Sequence, residues 1–290
     1  MNKKMPLVSI VLVNYNQPEV TEACLLSLEK ITYKEVEVFV VDNGSKVENL
    51  IDESKFPGVH FIRSEKNLGF AGGNNLALRI AKGDYLMLLN NDTEVPADFL
   101  QPLVETFNRF PDAGIVSPKI KFFYSDNLIQ YAGTSEINPF TCSGSTFGYK
   151  EFDDGRYDTE NKTDLAHGAC MIFSRKLMDE IGYLPEEYFI YYEEYDYCMM
   201  ARRAGYSIYY NGLSWIRHKQ SVSVGVFSPL KAYYMAKNRI LFVKRNFKPF
   251  QKVISLSYYY LLALPKSIVY ETFAGRHRNS LAILKGATGN

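Results

Sequence analysis

Residues 7–16 read LVSIVLVNYN, a mostly apolar run that stops at a polar asparagine. Such a run predicts a buried β-strand over Leu7–Val13. Pro18 follows at a position where the first turn of a helix tolerates proline, and the pattern predicts a helix from there to about Lys30. The strand and the helix form the first unit of an alternating pattern.

The alternation continues as far as residue 117. Strands that alternate with helices are typical of a mostly parallel sheet covered by helices on both faces. Ligands of such sheets bind at the carboxyl ends of the strands, where Asp42 and Asp92 both fall. The further strands are predicted at Val36–Val41, Val59–Ile62, Tyr85–Leu89 and Gly114–Ser117, and the further helices at Ala71–Ala81 and Pro96–Phe110.

Two common nucleotide-binding signatures are missing. A dinucleotide-binding protein has Gly-x-Gly-x-x-Gly directly after its first strand, but here residues 14–18 read NYNQP. The glycines at positions 69, 72 and 73 follow the third strand with a different spacing, and the sequence has no Walker loop. NAD-dependent hydride transfer and simple NTPase activity are therefore disfavoured.

Charge is distributed unevenly along the 290 residues. The whole chain carries +1, but residues 231–290 contain eleven Lys or Arg and one acidic residue, Glu271, so this tail carries +10 and the remainder −9. A basic, aromatic tail favours an anionic membrane surface. The alternative is a basic helix face that packs on the acidic body. The overall composition, 47% hydrophobic and 22% charged, is ordinary for a globular protein.

Targeting and membrane-spanning signals are weak. Lys3 and Lys4 before the first apolar run imitate a signal peptide, but the run is short and no small-residue cleavage site follows. Polar and charged residues interrupt Val253–Ala274, which favours a helix lying in a membrane interface over one that spans it. The four scattered cysteines form no Cys-x-x-Cys pair and favour a reduced cytosolic chain without disulfides.

Two acidic patches carry the chemistry. Asn90-Asn91-Asp92 ends the fourth strand, and residues 193–196 (EEYD) place three carboxylates within four positions, which raises the pKa of at least one. Together with His218 they suggest a site that holds a metal and removes a proton. The alternative for the second patch is structural, because acidic residues favour a first helical turn and Arg202 and Arg203 could pair with them.

Several motifs in a fixed order carry a family resemblance. The sequence resembles inverting family 2 glycosyltransferases with a GT-A fold, in their bacterial rhamnosyltransferase-like branch, over about residues 6–245. The resemblance implies an α/β fold with a Rossmann-like, mixed, mostly parallel sheet flanked by helices, and a helical, basic C-terminal appendage. The motifs are residues 8–16 (VSIVLVNYN), 40–45 (VVDNGS), 67–74 (NLGFAGGN), 88–92 (LLNND), 168–172 (GACMI) and 188–196 (YFIYYEEYD), followed by His218 and Arg239.

The resemblance implies a binding site for a nucleoside-diphosphate sugar. Asp42 would accept a hydrogen bond from the nucleobase imide, although an Asx-turn is a rival explanation for an aspartate here. Glycines near the diphosphate would allow close backbone approach, although an ordinary loop also uses them. The further nucleotide-sugar contacts would come from Asn14, Asn16, Asn67, Gly69, Gly73 and Asn91.

The first acidic patch stands where the family has its Asp-x-Asp metal motif. Asn90 replaces the first aspartate, so Mg²⁺ or Mn²⁺ at the diphosphate would be held by Asp92 and His218. A lone histidine is more often structural, but its position two dozen residues after the second patch favours the ligand role.

The second patch would supply the catalytic base. Inversion by a single displacement needs a carboxylate that takes the proton of the acceptor hydroxyl. The resemblance assigns this role to Glu194, where the family more often has aspartate, with Glu193 and Asp196 orienting the base or binding substrate.

The implied function is transfer of L-rhamnose from dTDP-L-rhamnose, with inversion, to a hydroxyl of a surface polysaccharide or of a lipid-linked glycan precursor. Two alternatives stay open. The same fold could use a UDP-hexose donor, or the protein could be a catalytically silent nucleotide-sugar-binding scaffold. No nucleic-acid partner is expected.

The predicted organisation has two parts. A glycosyltransferase domain covers 1–228, with a nucleotide-sugar half at 1–118 and an acceptor and catalytic half at 119–228, and a helical region covers 229–290. Tyr124–Asp164 is poorly periodic and is predicted to be an insertion or a flexible loop on the acceptor side. The expected location is cytoplasmic, peripheral at the inner face of the cytoplasmic membrane.

Overall fold

A computed structural model describes residues 5–125, 127–219 and 227–289; Lys3 and Lys4 of the signal-peptide-like start, and residues 220–226 at the predicted domain boundary, lie outside them. The described residues form one mixed sheet with helices on both faces. The strands are β1 Val8–Asn14, β2 Val36–Asn43, β3 Val59–Ser64, β4 Tyr85–Leu89, β5 Thr93–Glu94, β6 Ala113–Phe122, β7 Ile129–Tyr131, β8 Glu160–Thr163, β9 Cys170–Ser174 and β10 Ser207–His218. The helices are α1 Pro18–Leu28, α2 Gly69–Leu78, α3 Leu100–Arg109, α4 Arg175–Ile181, α5 Glu193–Arg203, α6 Pro229–Asn246, α7 Pro249–Tyr258, α8 Leu264–Phe273 and α9 His277–Thr288.

The alternation predicted for the first 117 residues is confirmed. β1 to β4 are parallel neighbours in the order β3-β2-β1-β4. The element ends differ by a few residues: the helix predicted from Pro96 begins at Leu100, and the strand predicted to end at Ser117 continues to Phe122. The carboxyl ends of β1, β2 and β4 meet at one edge of the sheet, which is where the predicted ligand site falls.

The second half of the chain makes the sheet mixed. The full order is β3-β2-β1-β4-β9-β6-β10-β5, with β7 on β6 and β8 on β10. β9 runs antiparallel between β4 and β6, and β5 lies antiparallel to β10. The short β5 directly follows Asp92, so its pairing with β10 brings the two halves of the predicted site together.

The strands divide the core into two layers because successive side chains point to opposite faces. Ile10 and Leu12 of β1 pack with apolar residues of α1 and α3 on one face. Val11 packs with apolar residues of α2, α4 and α5 on the other. All four cysteines are buried and unpaired, as expected for a reduced chain.

The poorly periodic segment at 124–164 joins the sheet through β7 and β8. Its loops are held by charge: the buried Lys119 of β6 is ion-paired with Asp153 (2.8 Å) and with Asp158. Strands of three and four residues are too short to show a period, which explains why the sequence pattern did not predict them.

The C-terminal helices join the body through α6. Phe242 and Val243 pack against Tyr188 and Tyr192 of the body. On its other side α6 packs through Ile240 on residues of α9 and of the π-helical turn Tyr259–Ala263, which joins α7 to α8. Part of the C-terminal tail, α6, therefore packs on the body through apolar side chains. Within the described ranges, no helix is long and apolar enough to cross a membrane.

Candidate active site

The carboxyl ends of β1, β2 and β4 are joined by a chain of side-chain hydrogen bonds. Asn14 and Asp42 are register partners, and Asn14 Nδ2 donates to Asp42 Oδ2 (3.0 Å). Thr21 Oγ1 of α1 donates to Asn14 Oδ1 (2.9 Å) and accepts from Asn91 Nδ2 (2.8 Å). Asn14 and Thr21 are fully buried. Asn14 and Asn91, both predicted nucleotide-sugar contacts, therefore hold the acidic residues beside them in place.

Asp42 closes a turn and keeps capacity to accept more bonds. Its Oδ1 accepts from the Ser45 N–H (3.0 Å), which is the Asx-turn that rivalled a nucleobase contact. Each carboxylate oxygen has two lone pairs, so the turn leaves room for a ligand donor. Asn16 lies in the loop between β1 and α1 and binds the loop after β2: its backbone is left-handed (φ 55°) and its Oδ1 accepts from the Lys46 N–H (2.9 Å).

Asn43 fastens the loop that is predicted to carry the ribose and diphosphate. Its Nδ2 donates to Asn67 Oδ1 (3.1 Å) and to Gly69 O (2.9 Å), and its Oδ1 accepts from the Leu68 N–H (2.9 Å). Gly69 has φ +74°, and a β-carbon there would lie 2.0 Å from Phe189 O. At Gly73 a β-carbon would lie 3.1 Å from Asn43 Nδ2. Only glycine fits this approach at position 69.

Pairing of β5 with β10 places Asp92 beside His218. Thr93 is the register partner of His218, and the Lys219 N–H donates to Asp92 O (2.8 Å). Asp92 Oδ1 and His218 Nε2 lie 3.1 Å apart, and both side chains are buried. The contact is not aligned as a hydrogen bond, because Asp92 Oδ1 is a buried oxygen without a hydrogen-bond partner in the described part of the chain.

The tautomer of His218 follows from Gln130. His218 Nδ1 lies 2.9 Å from Gln130 Oε1. An amide oxygen only accepts, so Nδ1 carries a proton, and in the neutral form of the ring Nε2 presents its lone pair to Asp92. The lone pairs of Asp92 Oδ1 and His218 Nε2 then face each other and repel, and a cation bound by both atoms would relieve the repulsion.

These two side chains fit a divalent cation that takes its other ligands from elsewhere. Among the residues that the structure describes, no group of three or more His, Cys, Asp or Glu could hold a metal. Mg²⁺ keeps several waters and is often bound by one or two protein groups together with substrate phosphates. The pair therefore fits a cation completed by a diphosphate.

Glu193 and Glu194 form the first turn of α5. The Glu194 carboxyl lies against Gly168, where a β-carbon would be 3.3 Å from Glu194 Oε1. Burial raises the pKa of Glu194 to about 7, although backbone N–H groups of the turn lower it. Burial, and then the charge of Glu194, raise the pKa of Glu193 well above its usual value. Near neutral pH the pair thus shares one proton, and one of the two carboxyls is ionised.

The turn at residues 167–170 connects the two centres. Asn90 N–H donates to Ala169 O (2.9 Å), Gly168 contacts Glu194, and the ring of His167 lies 6.0 Å from that of His218. Burial lowers the pKa of His167 to about 3, so the ring is neutral. Its Nδ1 accepts from the Ala169 N–H (3.0 Å), which leaves the proton on Nε2.

Asp196 lies apart from this turn. It is fully buried and is ion-paired with Arg245 of α6, which also binds Glu187 (2.8 Å). Its predicted place in the catalytic set stays a prediction. The ion pair itself fastens α6 to the body.

The sequence interpretation did not assign Asn43, Thr21, Gln130 or His167. The first follows Asp42 inside a quoted motif, and its position next to a strand end was a usable signal. Gln130 lies in a three-residue strand and His167 in a turn, where no periodicity points to them. They are found only when the strands are paired.

The likeness to known proteins follows the same residues. Residues 9–182 match the family model described as glycosyl transferase family 2. The chain is 30% identical over 241 residues to the low-salt glycan biosynthesis hexosyltransferase Agl10 of Haloferax volcanii, covering 80% of this chain and 74% of Agl10. It is 25% identical over 204 residues to the amylovoran biosynthesis glycosyltransferase AmsB of Erwinia amylovora, covering 68% of this chain and 64% of AmsB.

Solved structures share the fold. The mannosyltransferase PcManGT of Pyrobaculum calidifontis, solved with GDP-Man and Mn²⁺, has a TM-score of 0.62 at 17% identity, covering 99% of this chain and 88% of that one. GalNAc-T7 with UDP, GalNAc and Mn²⁺ has a TM-score of 0.64 at 14% identity, covering 94% and 58%. The mixed sheet is thus that of GT-A glycosyltransferases. Because the family model covers more than half of the sequence, the chain belongs to glycosyl transferase family 2.

Proposed function

We propose that this chain transfers a sugar from a nucleoside-diphosphate donor to an acceptor hydroxyl, with inversion at the anomeric carbon. One observation carries the proposal. Around the turn at 167–170 two groups come together, and each has a buried oxygen without a hydrogen-bond partner among the described residues. They are the Asp92–His218 pair, which suits a cation, and the Glu194 carboxyl, whose pKa burial raises to about 7.

The donor would lie along the strand ends. Asp42 would accept from the nucleobase, and the loop from Asn67 to Gly69, held by Asn43, would carry the diphosphate. Asn14 and Asn91 act behind this surface as positioning residues, since their amides already bond to Asp42 and Thr21.

Asp92 and His218 would hold Mg²⁺ or Mn²⁺ against the diphosphate. A bound cation there neutralises charge on the departing nucleoside diphosphate. Gln130 orients the imidazole by accepting from its Nδ1–H, a support typical of metal-binding histidines.

Glu194 would act as the base. As the acceptor oxygen attacks the anomeric carbon, its proton passes to the Glu194 carboxylate. The bond from that carbon to the diphosphate breaks, and its electron pair leaves with the nucleoside diphosphate. One displacement inverts the configuration. A base whose pKa lies near the working pH is suited to this step.

The donor proposed first is dTDP-L-rhamnose, with a polysaccharide or lipid-linked glycan as acceptor. A UDP-hexose donor is the second candidate, supported by the hexosyltransferase description of Agl10. A silent nucleotide-sugar-binding scaffold would need neither the ionisable Glu194 nor turnover.

A screen of dTDP-, UDP- and GDP-sugars tests the proposal. We expect one nucleoside diphosphate to raise the melting temperature only with Mn²⁺ or Mg²⁺, since ligand at 100 times its Kd adds about 2.7 kcal/mol of stability. The matching nucleoside monophosphate is the control. Equal stabilisation with and without the metal would refute the metal site. Binding of the donor without any transfer to acceptors would refute the enzyme assignment.

We further propose that α7 and α8 bind an anionic membrane surface. Large apolar side chains are exposed along both helices and the turn between them: Leu261 is 74% exposed and Phe273 88%. Lys252 and Lys266 lie on the same helices, which gives the charge complementarity that anionic lipids require. The six most exposed of these side chains, named the docking face, are Phe250, Val253, Leu261, Leu262, Tyr270 and Phe273.

Substitution tests the docking face better than truncation, because a cut near Arg245 would uncover Ile240 of α6. We expect Leu261→Ser with Phe273→Ser to weaken co-sedimentation with phosphatidylserine vesicles at least tenfold, since each buried side chain contributes ~1.5–3 kcal/mol. Val47→Ser, at an exposed site on the body, is the control. Equal sedimentation of both proteins would exclude this face.

A further inference from the structure

The residues directly before Glu193 have an unfavourable backbone. Tyr191 and Tyr192 are both left-handed, with φ of 71° and 77°. Such values are uncommon for residues with a β-carbon, and persist where surrounding contacts hold them. Tyr192 is also the residue directly before α5, and its side chain does not cap that end of the helix. The direction in which α5 presents its acidic turn is thus set by these two residues.

Asn238 of α6 holds this bend. Its Nδ2 donates to Ile190 O (2.8 Å) and to Tyr191 O (2.9 Å), and the residue is 0% exposed. Both partners are carbonyl oxygens, which fixes the orientation of the amide. An amide nitrogen has two hydrogens, so its donors match the two carbonyls in number.

The same segment contacts the donor side of the site. Phe189 O accepts from the Phe70 N–H (2.7 Å) at the start of α2, beside Gly69. Residues 189–192 therefore lie between the loop proposed to carry the diphosphate and the turn that bears Glu194.

We propose that Asn238 is a positioning residue for catalysis, which sets the position of Glu194 by holding the left-handed backbone at Tyr191 and Tyr192. The proposal rests on the proposed function of Glu194. On this proposal α6 supports the catalytic turn, although the sequence predicted that this helix belongs to a C-terminal appendage.

The chain offers a matched control on the same helix. Asn246 lies two turns further along α6 and contacts the other end of α5, where its Oδ1 accepts from Arg203 Nη1 (2.5 Å). Asn238 bonds to Ile190 and Tyr191 directly before α5, whereas Asn246 bonds to Arg203 at the end of α5. Asn238 is fully buried and Asn246 only partly so, and the two variants are therefore compared by where the structure changes and not by the size of the change.

Hydrogen exchange tests the inference without any substrate. We expect Asn238→Ala to speed amide exchange in the peptide that covers residues 188–198. In Asn246→Ala, exchange in the first turn of α5 should stay as in the wild-type protein. Equal exchange in the two variants would overturn the proposal. If the alanine variant does not fold, Asn238→Ser, which keeps one donor, is expected to show the same local change to a smaller extent. Protection unchanged from wild type in that variant would also overturn it.

Kinetics supply the second test, once a donor is known. We expect Asn238→Ala to lower kcat by about 100-fold, as small misplacements of a catalytic group do, with donor KM changed much less. The acid limb of the pH profile should move to lower pH, because a displaced Glu194 is less buried. Within the described ranges, the titratable groups whose charges interact with Glu194 are Glu193, the phenols of Tyr191, Tyr192 and Tyr195, and Cys198. The substitution changes the charge of none of them.

A second substitution separates backbone positioning from loss of packing. Glycine adopts positive φ freely, so Tyr191→Gly in the Asn238→Ala background should recover kcat roughly threefold or more. No recovery, together with an unshifted pH profile, would overturn the positioning role. A wild-type protein without turnover would count against the proposed function alone, since the exchange result does not depend on it.

Discussion

Glu194→Gln is expected to lower kcat by about 10²–10⁴-fold, the usual contribution of a general base. Glutamine keeps the shape of the side chain but cannot accept the acceptor's proton. Donor affinity should change little, because Glu194 lies at Gly168 and not along the strand ends that are proposed to bind the nucleotide. Steady-state kinetics with a saturating donor measure the effect.

The raised pKa of Glu194 also predicts in which direction activity and stability change with pH. The base acts when ionised, so activity should rise with pH through about 7, the pKa to which burial raises Glu194. Stability should run the opposite way: the folded protein holds the proton more tightly than the unfolded chain, so ionising Glu194 lowers stability as pH rises through that value. At pH 8 the glutamine variant should therefore be at least as stable as wild type.

The control is Glu180→Gln, which changes a carboxylate on α4 that bonds to Tyr206. It should leave both kcat and the acid limb unchanged. A Glu194→Gln protein with wild-type kcat would show that another group takes the proton.

Asp92→Asn is expected to reduce kcat/KM by about 100-fold and to abolish activation by Mn²⁺, because a cation contributes several kcal/mol of charge stabilisation at the leaving group. Asparagine removes the charge that faces His218 Nε2 across 3.1 Å. Titration of activity with Mn²⁺ and Mg²⁺ measures the change.

Asp98→Asn is the matched control, since Asp98 is exposed and lies six positions further along the chain. Its response to Mn²⁺ should be that of wild type. Full activity of Asp92→Asn in the presence of a chelator would contradict a metal site at Asp92 and His218.

The first half of the fold could be predicted because its strands are long apolar runs. β1 and β2 are buried on both faces, and each ends at a polar residue that marks the edge of the sheet. Asp42 and Asp92 could therefore be assigned to one edge before any strand pairing was known. Their chain of bonds through Thr21 could not be assigned, because it crosses from the strands to α1.

The second half depends on contacts that sequence spacing does not carry. His218 reaches Asp92 only because the two-residue strand β5 pairs with β10, and Gln130 reaches His218 from a strand of three residues. Elements this short have no measurable periodicity. The family resemblance supplied His218, but not the geometry that leaves two lone pairs facing each other.

The C-terminal region shows the same limit. Its excess of basic residues predicted an anionic membrane surface as partner or packing on the acidic body, and the boundary at residue 228 stays a prediction. Besides the apolar contacts of Phe242 and Val243, the polar side chains that tie α6 to the body include the buried amide of Asn238 and the guanidinium of Arg245. The sequence alone does not distinguish either residue from an asparagine or arginine on an exposed helix face.

The central claim is a single displacement in which Glu194 takes the acceptor's proton. The anomeric configuration of the glycosidic bond in the purified product, determined by NMR from a donor of known configuration, tests it most directly. We predict the opposite configuration to that of the donor. Retention of the donor's configuration would contradict the account, because it needs either a second displacement or departure and return on the same face.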